Sequence, residues 1–204
     1  MKILIAVPTY ENILPDTYKS IYDLDKGGHD CVFDFVRGYD CAAARNKIVK
    51  RAQAAGAEYL LMVDNDVILP PDALVNLLEG FPDVCLGYYA HRDGKNQYTG
   101  KTSICKPGEF NYTWQYTAEE LQHLKGEGRK KMLIHGGGMG CALIKVSIFD
   151  RLPFPWYKWV TYDNGYSLSE DLYFCEICGQ YGFQVYTDVR VGCGHIFRVP
   201  QWPE

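Results

Sequence analysis

The stretch Glu58-Tyr59-Leu60-Leu61-Met62-Val63-Asp64-Asn65-Asp66 constrains this chain more than any other. Its apolar run is continuous rather than alternating, the pattern of a strand buried on both faces of a sheet covered by helices. The run stops abruptly at two carboxylates. On an extended backbone, side chains two apart share a face, so Asp64 and Asp66 are expected to converge on one point. Paired oxygen ligands at a strand's C-terminal end suit a hard divalent cation, Mg²⁺ or Mn²⁺. Open α/β sheets also bind their ligands at that edge. The opposing reading is a turn, since Asp, Asn and the following Pro70-Pro71 are all turn formers. For an isolated Asp-x-Asp the turn is the better reading, whereas a buried strand leading into it favours chemistry.

The flanking pattern predicts an α/β fold. Strands at 2–7, 31–36, 58–63 and 84–90 alternate with helices near 15–24, 42–55 and 72–79, an order that implies a largely parallel sheet with helical cover. The helix at 42–55 presents Ile48, Val49 and Ala52 at helical spacing, with Arg45, Lys47, Lys50 and Arg51 read as its polar side. From 92 to 130 the periodicity fades into Gly, Lys, Asn, Thr and Pro, and only 118–124 reads as helix. A stretch of that length predicts a functional loop, mobile without a ligand. Strands at 132–135 and 141–146 bracket Gly136-Gly137-Gly138. A helix at 169–180 and strands at 183–188 and 191–196 follow.

Composition excludes several classes. The 204 residues are 47% hydrophobic and 23% charged, ordinary for a globular chain, and are expected to form one domain over 1–204. A net charge of −4 gives no global field for nucleic acid. Only Lys2 precedes the first short apolar segment, which Pro8 and Glu11 interrupt, so no signal peptide is read there. No run approaches the roughly 18 apolar residues of a membrane span. A cytoplasmic protein is the expectation. The eight cysteines are scattered, and Cys175-x-x-Cys178 lacks the second pair that a structural zinc site needs, which favours free thiols.

Five segments then fall in a telling order: Met1-Lys2-Ile3-Leu4-Ile5-Ala6-Val7-Pro8-Thr9-Tyr10-Glu11, Ala44-Arg45-Asn46-Lys47, Asp64-Asn65-Asp66, Gly136-Gly137-Gly138-Met139-Gly140, and Ser169-Glu170-Asp171 followed by Gly182-Phe183. Across about residues 2–196 this order resembles the metal-dependent glycosyltransferases of the Rossmann-like GT-A fold, close to the family 2 group. The resemblance implies a mostly parallel central sheet flanked by helices, with a small acceptor-side β element. It implies a nucleotide-binding half at about 1–91, the mobile loop at 92–130, and an acceptor and catalytic half at 131–196.

The resemblance also assigns roles. Pro8, Thr9 and Glu11 would cradle the nucleoside, and Tyr10 either stacks on the base or belongs to the core. Asp34 would meet base or ribose, Arg45 the diphosphate or ribose, and Asn65 the donor. Gly137 and Gly138 would let backbone approach the donor, or simply form a tight turn. Asp64, Asp66 and His195 would hold Mn²⁺ (or Mg²⁺) with diphosphate oxygens, Mn²⁺ tolerating the mixed N/O shell better. Asp171 would be the general base and Glu170 an orienting group, although acids are favoured at any helix start. The family's Arg later in that helix is absent here, where Glu176-Ile177-Cys178 stands, so Asp171 as a positioning group in a retaining enzyme stays open. Arg92 or Lys95 would add positive charge, and Trp156, Tyr157, Trp159 and Tyr162 would shape the acceptor pocket. The substrates implied are a nucleotide-diphosphate sugar and a hydroxyl acceptor, with no nucleic acid and no membrane span. A sugar-nucleotide nucleotidyltransferase would carry a basic, Gly-rich loop after the first strand, which Pro8-Thr9-Tyr10-Glu11 is not. A non-catalytic nucleotide- or carbohydrate-binding protein is the other alternative.

Overall fold

The computed structural model describes residues 1–38, 40–93, 97–107, 114–163 and 165–197. Lys95 lies outside the described residues. The main elements are β1 (Lys2–Thr9), α1 (Pro15–Tyr22), β2 (Asp30–Arg37), α2 (Cys41–Ala54), β3 (Tyr59–Val63), α3 (Ala73–Leu78), β4 (Val84–Tyr88), α4 (Ala118–Gly126), β5 (Lys131–Leu133), β6 (Cys141–Lys145), α5 (Glu170–Gln180) and β7 (Val185–Gly192). Seven strands form one sheet in the order β2-β1-β3-β6-β4-β7-β5. Strands β1, β2, β3, β4 and β7 run one way, while β6 and β5 run against their neighbours, so the sheet is mixed with a parallel majority.

The apolar run of β3 follows from what covers it. Its Leu60 and Met62 pack with Leu4 and Ala6 of β1 against Ile48, Val49 and Ala52 of α2 and Phe174 of α5. Its Leu61 and Val63 face the other way, with Ile3, Ile5 and Val7, onto Ile21 of α1 and Leu74 and Leu77 of α3. A strand dressed on both faces has no polar side to show. Each fully buried Leu or Ile contributes about 1.5–3 kcal/mol.

Helix starts are set by side chains. Ala42 N–H donates to Asp40 Oδ1 (3.0 Å) to cap α2, and Thr117 and Glu120 form a reciprocal capping box on α4. Gly56, at φ +65, turns the chain out of α2 toward β3, a left-handed conformation that glycine adopts without strain.

Three sequence expectations need correction. The stretch 92–130 holds more structure than its composition indicated: Ala90–Arg92 pairs with Tyr98–Thr102, and Ile104–Cys105 pairs with Gly136–Gly137. Residues 94–96 and 108–113 of it are outside the described residues. The late pair of strands is instead one strand, β7, followed by the short Gly194–His195, which pairs with Val67–Ile68. Arg45 is not on the polar side of α2 but 1% exposed. Among the described residues, no helix is long and apolar enough to cross a membrane. All eight cysteines are free thiols.

Candidate active site

The site sits where β1, β3 and α5 meet the start of α2, and Arg45 is its centre. Its Nη2 lies 2.9 Å from Asp64 Oδ1, at the end of β3. Its Nη1 lies 3.2 Å from Glu170 Oε1 and 3.2 Å from Asp171 Oδ1, both in the first turn of α5, and 2.9 Å from Cys41 Sγ. A buried guanidinium stays charged and needs partners, and here three carboxylates surround it. The cluster therefore carries surplus negative charge when all three are ionised.

Asp171 bears most of that surplus. Ser169 caps α5 by accepting from Leu172 N–H at 3.5 Å, which fixes the helix start and turns Asp171 inward. Met139 N–H donates to its Oδ2 at 3.2 Å, whereas its Oδ1, buried beside Arg45, has no hydrogen bond among the described residues. Burial pushes the Asp171 carboxyl up to about 7; the Arg45 charge opposes this, and the charges of Glu170 and Asp64 add to it. A carboxyl near 7 takes and releases a proton at neutral pH.

Asp64 and Asp66 line one pocket but reach different partners, because the backbone between them is a turn and not the extended strand that the sequence predicts. The strand ends at Val63, and residues 64–67 turn, with Val67 N–H donating to Asp64 O at 3.2 Å. The turn sends Asp64 to Arg45 and Asp66 to a different pair of partners. Arg92 Nη2 lies 2.7 Å from Asp66 Oδ2, and His195 Nε2 lies 3.6 Å from the same oxygen. Burial alone would raise the Asp66 carboxyl, but the hydrogen bond from His195 and the charge of Arg92 outweigh it and hold the group below the usual range.

His195 reaches Asp66 through backbone pairing: His195 stands opposite Val67, and Ile196 N–H donates to Asp66 O at 2.9 Å. Its Nδ1 lies 2.7 Å from Ala90 O. A carbonyl only accepts, so Nδ1 donates to Ala90 O, and this orients the ring with Nε2 toward the Asp66 carboxylate. An imidazole nitrogen and a carboxylate oxygen so placed can share a proton or, with Nε2 deprotonated, hold a divalent cation between them. The pair thus fits a divalent ion, with the Ala90 carbonyl as the outer partner that orients the ring. Among the described residues no group of three or more His, Cys, Asp and Glu side chains is gathered to hold a metal. An ion held by Asp66 and His195 would draw its remaining ligands from substrate oxygens, water or Asp64.

Two pockets flank Arg45. One, of about 230 Å³, is lined by Pro8, Thr9, Tyr10, Asp64, Asn65 and Asp66 among others, with Arg92 on its wall. The loop after β1 is tied to the 64–67 turn, because Asn65 Nδ2 donates to Asn12 O and Leu14 N–H donates to Asn65 O. Thr9 is buried and spends its hydroxyl on Asn12 O, while Tyr10 is 58% exposed on the rim. Glu11 is exposed and does not line this pocket. Asp34 does not line it either, and pairs with Arg51 at 2.8 Å. The second pocket, of about 170 Å³, is lined by Asp171, Gly138, His91, Ser103 and Gln115 with Tyr89 behind them.

Tyr89 is a residue that sequence reasoning missed. It is buried, its hydroxyl accepts from Gly140 N–H at 3.1 Å, and its ring meets that of His195 edge-on at 5.1 Å. The glycine cluster exists largely to admit it. A Cβ at Gly138 would stand 2.1 Å from Tyr89 Oη, and one at Gly137 would meet Ile104 at 2.8 Å. Gly137 thus serves internal packing, and Gly138 both packing and the second pocket. Nothing in the Gly87-Tyr88-Tyr89 sequence distinguishes this tyrosine from a core residue. Of the aromatic cluster expected at the acceptor, Trp156 and Tyr157 are buried, and Trp159 and Tyr162 are exposed.

Comparison with known proteins agrees with this architecture. Among solved structures, A197 from STIV superposes with a TM-score of 0.62 at 18% identity, covering 97% of this chain and 87% of that one. The crystal structure of GalNAc-T7 with UDP, GalNAc and Mn²⁺ superposes with a TM-score of 0.64 at 12% identity, covering 98% of this chain and 45% of the longer one. These neighbours share the GT-A arrangement of a central mixed sheet flanked by helices. No curated protein matches the sequence. The family model for glycosyl transferase family 2 matches residues 7–152, more than half of the sequence, and the chain belongs to that family.

Proposed function

We propose that the protein transfers a sugar from a nucleoside-diphosphate donor to an acceptor hydroxyl, with Mn²⁺ or Mg²⁺ held by Asp66 and His195. The observation that carries this reading is His195 Nε2 standing 3.6 Å from Asp66 Oδ2, with Asp66 on the wall of the pocket that Tyr10 and Asn65 also line. GalNAc-T7, solved with UDP, GalNAc and Mn²⁺, supports the donor class and the ion. When bound, the cation supplies Lewis-acid stabilisation of the departing diphosphate.

The remaining chemistry belongs to the chain. Tyr10 offers an exposed ring for a base to stack on. Arg92 adds positive charge to the wall where the diphosphate would lie. Across Arg45, Asp171, which lines the second pocket, accepts the acceptor's proton on its carboxylate. The acceptor oxygen bonds to the anomeric carbon as that carbon's bond to the diphosphate breaks. Glu170 and Asp64 hold Arg45 between the two pockets and so fix Asp171 against the second one.

A thermal-shift screen of nucleoside-diphosphate sugars, with Mn²⁺ and with EDTA, tests the donor reading. A true donor at about 100 times its dissociation constant stabilises the fold by about 2.7 kcal/mol, and the shift should vanish in EDTA. A panel in which no nucleotide raises the melting temperature with Mn²⁺ present would overturn it.

A further inference from the structure

A cleft of about 510 Å³ opens on the far side of α2 from the nucleotide pocket, between that helix and the segment 154–159. Ala43, Lys47 and Lys50 lie at helical spacing along one exposed side of α2 and form one wall. Phe154, Lys158 and Trp159 form the other. The first turns of α2 separate the two cavities: Cys41 and Ala44 face the nucleotide pocket, while Ala42, Ala43 and Asn46 face this cleft.

The cleft is a built feature. Asn46 fastens the opposite wall, since its Oδ1 accepts from Trp156 N–H (3.0 Å) and Tyr157 N–H (3.2 Å), and its Nδ2 donates to Tyr157 O (2.7 Å). Tyr157 then stacks on Phe174 with ring centroids 4.8 Å apart, and Trp156 is anchored through Nε1 to Phe149 O and Leu152 O. This rigid backing leaves Trp159 61% and Phe154 58% exposed, two large aromatics whose burial folding does not use.

The charge points to the occupant. Lys47, Lys50 and Lys158 have no carboxylate within ion-pair distance among the described residues, in a protein whose net charge is −4. Two of them instead lie over aromatic rings, Lys50 over Phe154 at 4.5 Å and Lys158 over Tyr173 at 4.6 Å. The one acidic residue on the lining, Asp40, is committed to capping α2. Exposed aromatic faces suit the C–H faces of sugar rings, and unpaired ammonium groups suit carboxylates or sulfates. The volume falls in the ordinary range for a ligand site, about 300–1,000 Å³.

We infer that this cleft is a binding site for an acidic saccharide, seated on Trp159 and Phe154 with its anionic groups on Lys47, Lys50 and Lys158. The inference concerns binding alone and stands apart from the transfer reaction, because the cleft residues are not those of the nucleotide pocket.

Calorimetric titration of the whole protein, without nucleotide or metal, tests it with three probes: tetragalacturonate, the neutral maltotetraose, and a short single-stranded oligonucleotide of matched charge. Saturable binding of the acidic tetrasaccharide is expected, weakening as salt screens exposed charges. The exposed double variant K47Q/K50Q should bind it about tenfold more weakly. Trp159→Ala should also lose affinity, with both variants keeping the wild-type circular dichroism and melting temperature. Equal binding of maltotetraose would overturn the acidic preference. Equal or tighter binding of the oligonucleotide would make the cleft a polyanion or nucleic-acid site and would overturn the inference. So would no binding of tetragalacturonate, or wild-type affinity in the variants.

Discussion

His195 Nε2 stands 3.6 Å from Asp66 Oδ2, and backbone pairing brings them together: Gly194–His195 lies antiparallel to Val67–Ile68, directly after the Asp64–Val67 turn. The separation is then maintained by the Ala90 carbonyl, which accepts from Nδ1 and leaves the other nitrogen toward the carboxylate. A ligand pair built from two chain segments that are far apart in sequence is held as rigidly as the ribbon that carries it.

Arg92 occupies the same carboxylate oxygen at 2.7 Å, so a divalent ion must displace it. Arg92→Gln should therefore raise the affinity for Mn²⁺ measured by calorimetry without nucleotide, by roughly the 1.5–3 kcal/mol of a charge-assisted hydrogen bond at most. Weaker Mn²⁺ binding in this variant would show that Arg92 supports the ion rather than competing with it.

Asp171→Asn keeps volume and removes basicity. Transfer should fall by about 10² to 10⁴-fold with little change in donor affinity. In the wild type, the rate should rise with pH through about 7 as Asp171 loses its proton. Stability should move the other way. The folded-state carboxyl binds its proton more tightly than the unfolded one, so the fold loses stability as pH rises from the ordinary carboxylate range to about 7. The Asn variant should flatten that slope in pH-dependent melting. A wild-type transfer rate would leave Asp171 as a helix-start anion only.

Arg45→Met leaves Asp64, Glu170 and Asp171 facing one another without a cation. Removing one partner of a buried ionic group costs about 3–5 kcal/mol, and the loss should shrink at acid pH as the carboxyls become protonated. Denaturant unfolding at neutral and at acid pH measures both. A loss that is small and independent of pH would contradict the role given to Arg45.

Gly138→Ala places a methyl where Tyr89 Oη stands 2.1 Å away. Relief requires Tyr89 to leave its bond with Gly140 N–H and its edge contact with His195. The overpacking should destabilise by about 1–3 kcal/mol. Gly138→Ala combined with Tyr89→Phe, which removes the clashing oxygen, should recover part of that loss.

The order of strands and helices was legible because β3 packs between two apolar layers, and a short, continuous hydrophobic run ending in turn formers is the pattern such a strand must have. The ribbon at 98–105 was not, since Tyr98-Thr99-Gly100-Lys101-Thr102 is mostly exposed and carries no hydrophobic period. At the site, the residue types were legible and their partnerships were not. Arg45 reads as a solvated helix residue until Asp64, Glu170 and Asp171 close around it, and those come from β3 and α5. Asp64 and Asp66 read as convergent only if the strand continues, and a hydrogen bond from Val67 to Asp64 ends it. Asp34 reads as a ligand for base or ribose, yet its neighbour in the fold is Arg51.

The central claim is that Asp66 and His195 hold a cation through which a nucleotide sugar is used. Its most direct measurement is the release of nucleoside diphosphate from a panel of nucleotide sugars, by the wild type and by Asp66→Ala, in Mn²⁺ and in EDTA. The expected result is release from at least one donor in Mn²⁺ that is lost both in EDTA and in the folded Asp66→Ala variant. Release that persists unchanged in EDTA, or in Asp66→Ala, would contradict the claim.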